Sequence, residues 1–219
     1  MTDKLAIKPI KMPLDDVSGM TQCPHPLPRH AHLMLLIGPP GSGKTSLMTG
    51  LLCNRGRFYN RLFDQVHWVS HSTSTLDLKA MGLPKNRLHS NFSTTKIKEI
   101  LDGIGKEERA LIVLDDVVTS LKSGMPPLMR MIFNRRHIGK GVSIWITSQK
   151  LTVLPLQIRS AATCLCQWAT ANNKELKAIF EEYITLSDKQ FKAMTSHIFA
   201  RKHGFLYMRL DKATDDERY

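Results

Sequence analysis

No stretch of this 219-residue chain approaches the ~20 consecutive apolar residues that a bilayer-crossing helix requires, and its first residues carry no cleavable signal pattern. The expectation is a soluble, intracellular protein with no membrane partner. Cysteine is scarce. Cys23, Cys53, Cys164 and Cys166 lack paired metal-ligand spacing, and the Cys164-x-Cys166 pair falls in an apolar, strand-like run, so the four read as reduced thiols. There is no internal repeat, no low-complexity tract, and no LSGGQ transporter signature. Acid is also short: 19 Asp and Glu stand against 31 Lys and Arg, a formal charge of +12. A surface with that imbalance attracts polyanions, which favours nucleic acid as a partner; charge alone leaves a solvated basic face and an anionic membrane patch open.

The length suits one α/β nucleotide-binding domain and is too short for two in tandem. Residues 1–30 mix Lys, Asp and Pro, with prolines at 9, 13, 24, 26 and 28 that remove backbone donors, and are expected to form an extended N-terminal arm ahead of a single domain over 31–219. Within that domain, runs at Leu33–Ile37, Val66–Ser70, Ala110–Asp115, Val142–Thr147, Ala162–Trp168 and Phe205–Leu210 read as strands. Helical periodicity links them: Thr45 to Leu52, then Ile97 to Ile104, then Leu128 to an end near Gly139, then Leu176 to Phe180. Alternation of this kind predicts an α/β fold, a mainly parallel sheet with helices on both faces.

Gly38-Pro39-Pro40-Gly41-Ser42-Gly43-Lys44-Thr45 fits G-x-x-x-x-G-K-[ST] at every fixed position, after a strand and before a helix. Glycines let consecutive backbone N–H groups turn toward phosphates, and the helix start adds partial positive charge. Lys44 is expected to reach the β- and γ-phosphates, Thr45 to place its hydroxyl on Mg²⁺, and Ser46 to complete the binding set. A P-loop NTPase that binds Mg-ATP follows.

The apolar strand ending in Asp115-Asp116 resembles a Walker B segment. Asp115 would hold Mg²⁺ through water at the carboxyl end of its strand; Asp116 would polarise the attacking water, or else cap the next helix. Ile144 to Gln149 is another apolar strand closing on polar residues, and the Gln149 amide can both donate to phosphate and accept from water, as a γ-phosphate sensor would. Arg135, Arg136 and Arg159 are candidates for an arginine supplied across a subunit boundary, against the alternative of a solvated basic face. Lys122, expected in the loop after the Asp115 strand, and Lys140 are candidates for contact with DNA, against the alternative, for either, of a solvated surface.

Together, GPPGSGKT after its strand, LIVLDD, NRRHIGKGVSIWITSQ and LPLQIRSAAT resemble the viral genome-packaging ATPases of the FtsK/HerA superfamily, the poxvirus-type packaging ATPases of large DNA viruses, virophages and related elements. Coverage runs from about Leu33 to Leu210. The resemblance implies a RecA-like core of the ASCE type working as a homo-oligomeric ring of five or six subunits. Such a ring threads double-stranded DNA into a preformed capsid, with a capsid or portal-vertex protein as partner, in the host cytoplasm, the viral factory or with the virion. It also implies the roles of Asp116, Gln149 and a trans arginine among Arg135, Arg136 and Arg159. Two other readings stay open from the residues: a small-molecule or nucleotide P-loop kinase, and a slow nucleotide-dependent assembly switch.

Overall fold

The computed structural model describes residues 23–28, 31–53, 58–72, 76, 81, 83–117 and 121–219, with the backbone alone for 121–125. Most of the arm expected over residues 1–30 therefore lies outside the described residues. Its described part, 23–28, packs against the sheet: Cys23 is buried, Tyr59 donates its hydroxyl to Pro28 O at 2.7 Å, and Arg209 donates to Pro26 O at 2.7 Å.

Seven strands form one sheet: β1 Leu33–Ile37, β2 Gln65–Ser70, β3 Leu88–His89, β4 Ala110–Asp115, β5 Val142–Ser148, β6 Cys164–Trp168 and β7 Phe205–Arg209, in the order β3-β2-β4-β5-β1-β6-β7. All neighbours are parallel except β6 and β7. The α-helices of the described residues include α1 Lys44–Cys53, α2 Thr94–Asp102, α3 Leu121–Asn134, α4 Leu156–Ser160, α5 Asn173–Tyr183, α6 Asp188–Phe199 and α7 Asp215–Arg218. Among the described residues, none is long and apolar enough to cross a membrane.

The central strands are buried along their whole length, which is why they read as unbroken apolar runs instead of alternating ones. Alternate residues feed two cores. Leu33, Leu35, Ile112, Leu114, Ile144 and Ile146 face one side, where α2, α3, α5 and α6 supply Ile97, Met131, Ile179 and Phe191. Met34, Leu36, Leu111, Val113 and Trp145 face the other, covered by Met48, Leu51 and Leu52 of α1 and by Tyr59 and Leu62. The doubly covered, mainly parallel sheet is thus as the sequence predicts.

Four elements, β3, α3, α6 and α7, depart from expectation. Helix α3 begins at Leu121 and runs through Pro126-Pro127, so Lys122 sits in its first turn and not in a loop. Helix α6 was not expected at all. Its start is nonetheless fixed by a capping box, in which Ser187 accepts from Gln190 N and Gln190 reaches back to Ser187 N at 3.0 Å.

At the β2–β3 edge, His67 Nδ1 and His89 Nε2 lie 3.2 Å apart and His67 Nε2 lies 3.0 Å from Gln65 Oε1. Burial, with His89 and Arg87 adding to it, pushes the His67 imidazole down to about 4. An unfolded chain takes up that proton near the ordinary value of ~6.5, whereas the folded one does not, so stability falls as pH drops through the window between the two. The thermal midpoint is expected to decline from pH 6.5 to 4 more steeply in the wild type than in His67→Gln. Identical slopes would show that the pair does not carry the effect.

Candidate active site

The carboxyl ends of β1, β5 and β4 stand side by side, and three loops leave from them. After Ile37 the chain enters the P-loop, whose first residue is tied to the neighbouring strand: Gly38 N donates to Ser148 O at 3.0 Å. A Cβ at Gly38 would lie 2.8 Å from both Ser42 Oγ and Trp168 Cβ, so no side chain fits there. Gly43, at φ +106, holds a backbone conformation that L residues rarely adopt. Helix α1 starts immediately afterwards with Lys44.

Lys44 Nζ donates back to Gly38 O at 2.6 Å and to Pro39 O at 3.0 Å. Burial lowers its pKa, opposed by the nearby Asp116 and Asp115 carboxylates. Those acids sit one strand beyond β5. Asp115 is buried, and Thr147, on β5, donates its hydroxyl to Asp115 Oδ1 at 2.8 Å while accepting from Asp116 N at 2.8 Å. Burial raises the Asp115 pKa; the Thr147 hydrogen bond and Lys44 pull it down, and Asp116 pushes it up. Asp116 is exposed, at φ +55, and five positions ahead of the start of α3, which separates it from the helix it was an alternative candidate to cap.

Gln149 follows β5 directly and is exposed between the other two loops. The segment beyond it is anchored by buried Glu175 of α5, which accepts from Leu151 N at 2.7 Å and from the Thr152 hydroxyl. Lys44, Thr45, Asp115, Asp116 and Gln149 are therefore brought to one end of three adjacent strands.

Within one chain, the arginines are not brought there. Arg135 donates to Ala31 O at 2.6 Å and Ile132 O at 2.8 Å, at the amino end of β1, away from the P-loop; burial and neighbouring Arg136 lower its pKa. Arg159 pairs with Glu182 and donates to Leu154 O at 3.1 Å. Arg136 is exposed. Lys140, beside the amino end of β5, pairs with Glu107 at 2.5 Å.

A cavity of about 440 Å³ opens over the P-loop, lined by Gly41 to Leu47 and also by Trp168, His203 and Phe205. These last three come from β6, β7 and the turn between α6 and β7, and sequence reading did not single them out. His203 Nδ1 lies 3.1 Å from Ser42 O, and the Trp168 and Phe205 rings lie tilted against each other with centroids 4.9 Å apart. No local pattern announces a residue that meets the loop from 161 positions away; the antiparallel β6–β7 pair is what delivers it.

The site suits a nucleotide phosphate and a hard cation. Ser42 Oγ and Trp168 Nε1 are buried polar atoms without a partner at the loop, a costly arrangement that a bound phosphate or ribose oxygen would relieve. The Asp115 and Asp116 carboxylates both stand near the Lys44 ammonium, and the oxygen donors of Thr45 and Asp115 are those that Mg²⁺ takes.

Comparison with known proteins agrees with this fold. The sequence profile of the NB-ARC domain matches residues 27–157, more than half of the chain. No curated protein matches the sequence. Among solved structures, the fold is similar to B204, the DNA-packaging ATPase from Sulfolobus Turreted Icosahedral Virus, at 12% identity and TM-score 0.61, covering 84% of this chain and 95% of that one. It is also similar to the genome packaging NTPase B204 from Sulfolobus turreted icosahedral virus 2 in complex with AMP, at 12% identity and TM-score 0.62, covering 84% and 94%. The pCW3 conjugation coupling protein TcpA, in its monomer form with ATPgS, matches at 14% identity and TM-score 0.57, covering 83% of this chain and 58% of that one. With its complete P-loop, its paired acids and this fold, the chain belongs to the NB-ARC domain family of P-loop NTPases and is an ATPase.

Proposed function

We propose that this chain is an ATP-driven motor that translocates double-stranded DNA, packaging a genome into a capsid. The observation that carries the reading is the convergence of Lys44, the Asp115–Thr147–Asp116 cluster and Gln149 on three adjacent strand ends. Support comes from the +12 charge and from the DNA-packaging and conjugation-coupling proteins that share the fold.

In this reading Gly38 to Ser46 bind the triphosphate, and Thr45 and Asp115 hold Mg²⁺, which neutralises phosphate charge when bound. Asp116 takes the proton of the attacking water, and Gln149 reports the γ-phosphate to the loop that Glu175 anchors. Thr147 fixes both acids at once. Subunits assemble as a homo-oligomeric ring of five or six around the DNA, on a capsid or portal-vertex protein, in the host cytoplasm or viral factory. Each contributes a trans arginine; Arg136, exposed, is the candidate whose side chain is least committed to its own chain. The region from residue 31 onward acts as the ATPase domain, with the preceding residues as an arm.

The placement of β5 between β4 and β1 favours this over a kinase, because Gln149 occupies the position between the acids and the P-loop. The test is the ATPase rate with and without long duplex DNA. DNA is expected to stimulate turnover without sequence preference, and the affinity to fall steeply with salt, since phosphate contacts release counterions. An ATPase indifferent to DNA, or one that transfers phosphate stoichiometrically to a nucleoside, would overturn the motor.

A further inference from the structure

The β6–β7 pair and the turn that feeds it meet the P-loop at both of its ends. At the first, a Cβ on Gly38 would lie 2.8 Å from Trp168 Cβ. At the other, His203 Nδ1 lies 3.1 Å from Ser42 O, and a Cβ on Gly43 would lie 3.7 Å from that same nitrogen. We propose that His203 is a positioning residue for ATP: it holds the backbone of the loop in the curl that receives the phosphates and takes no part in the chemistry. This rests on nucleotide binding at the P-loop and stands apart from the motor reading.

A carbonyl oxygen only accepts, so the imidazole donates through Nδ1 to Ser42 O. In a trans peptide the carbonyl and the next N–H point in opposite directions. Fixing Ser42 O therefore also fixes the direction of Gly43 N–H, one of the consecutive donors that a P-loop offers to phosphate. The turn is built to keep this hold. His203 sits at φ +60, a conformation that residues with a side chain seldom adopt. It cannot relax along the chain, because Gly204 N donates to Arg201 O at 2.9 Å and a Cβ on Gly204 would lie 2.2 Å from Ile198 O. Strain of this kind persists where surrounding contacts over-determine it, and it gathers at ligand sites. The loop, for its part, has little else to stiffen it at the crown: Gly41 is at φ +73 and a Cβ there meets no atom within 4 Å. Glycines lose much conformational freedom when they are fixed, so a loop fixed beforehand spares that cost when phosphate arrives.

Calorimetric titration of the whole chain with ATP and with inorganic tripolyphosphate, both with Mg²⁺, tests this in the wild type, His203→Ala, His203→Gly and His203→Asn. Alanine removes the donor but is strained at φ +60, whereas glycine removes it without strain. Asparagine tolerates the conformation and offers an amide N–H to Ser42 O. The alanine and glycine variants are expected to bind both ligands about fivefold more weakly, the scale of one hydrogen bond, and the asparagine variant to return within about twofold of the wild type. The KM for ATP should rise by the same factor while kcat holds, the sign of binding lost equally by substrate and transition state. A merely structural role would lower the thermal midpoint and leave KM where it was. Unchanged affinity in both the alanine and glycine variants would overturn the proposal. So would a loss confined to ATP, which makes His203 a contact of the nucleoside, or an asparagine variant as weak as the glycine one, since the donated bond is then not the hold. A wild type that binds neither ligand would overturn the nucleotide site itself.

Discussion

Replacing Lys44 with methionine is expected to reduce ATP turnover by at least ~10²- to 10³-fold, the scale set by removing one preorganised charge-stabilising donor, and to weaken ATP binding as well. The geometry gives the reason. In this structure the ammonium is bonded to Gly38 O and Pro39 O, both in the loop that wraps the phosphates, so it is already within reach of the position it would serve. Asp115 and Asp116 lie close enough to oppose the effect of burial on its pKa. Without it, a polyanionic substrate approaches Asp115 and Asp116 without the ammonium that stands near both. The fold itself should survive, because Lys44 is a partly buried charge whose loss removes a desolvation cost along with its two hydrogen bonds. Steady-state ATPase rates and thermal melts of the two proteins check both halves; a Lys44→Met enzyme within tenfold of wild type would refute the role.

How much of this was legible before the structure depended on the range over which each signal acts. Six of the seven strands are long enough to read, five as buried runs and β7 as an alternation of buried and half-buried residues, and the seventh, β3, has two residues, below any period. The P-loop, Asp115 and Gln149 lie at strand ends, where a motif and its structural context are contiguous in sequence. Thr147 is different. Its hydroxyl looks like the polar close of a strand, and becomes the tie between two acids only when the parallel register sets Leu114 beside Ile146 and so brings the next residues together. The start of α3 was hidden by Pro126-Pro127, which ordinarily end a helix or begin one. Helix α6 was hidden by its own surface: among its residues Phe191 is the one buried, too little for a periodic signal, although its Ser187-x-x-Gln190 cap is a local pattern that reading could have used.

The arginines show where local reading meets its limit. Arg135, Arg136 and Arg159 were selected for charge and for their place near the Gln149 strand, yet two of them have own-chain roles: Arg135 ties the end of α3 to Ala31, and Arg159 binds α4 to Glu182 of α5. A charge tethered that way holds the fold, and freeing it for a neighbour would leave backbone carbonyls or a carboxylate without a partner. Conversely, the side chains that do meet the P-loop from far along the chain, Trp168, His203 and Phe205, carry no motif. Charge is visible in a sequence; the assembly of a cavity from a strand pair is not.

Asp116→Asn separates binding from hydrolysis. The substitution keeps the side chain's shape and the backbone N–H that donates to Thr147, so the tie to Asp115 persists. Asparagine also tolerates the left-handed conformation that residue 116 adopts, at φ +55, so little strain is introduced. What is lost is the proton acceptor and one negative charge. Loss of a positioned general base is expected to lower kcat by roughly 10²- to 10⁴-fold. ATP affinity should hold or rise, since one of the two carboxylates facing the phosphates has been neutralised. Measured together, a collapsed kcat with undiminished ATP binding, in the presence of DNA as well as its absence, assigns Asp116 to the chemical step. A turnover that survives would move the base elsewhere and leave Asp116 as a charge that tunes Lys44.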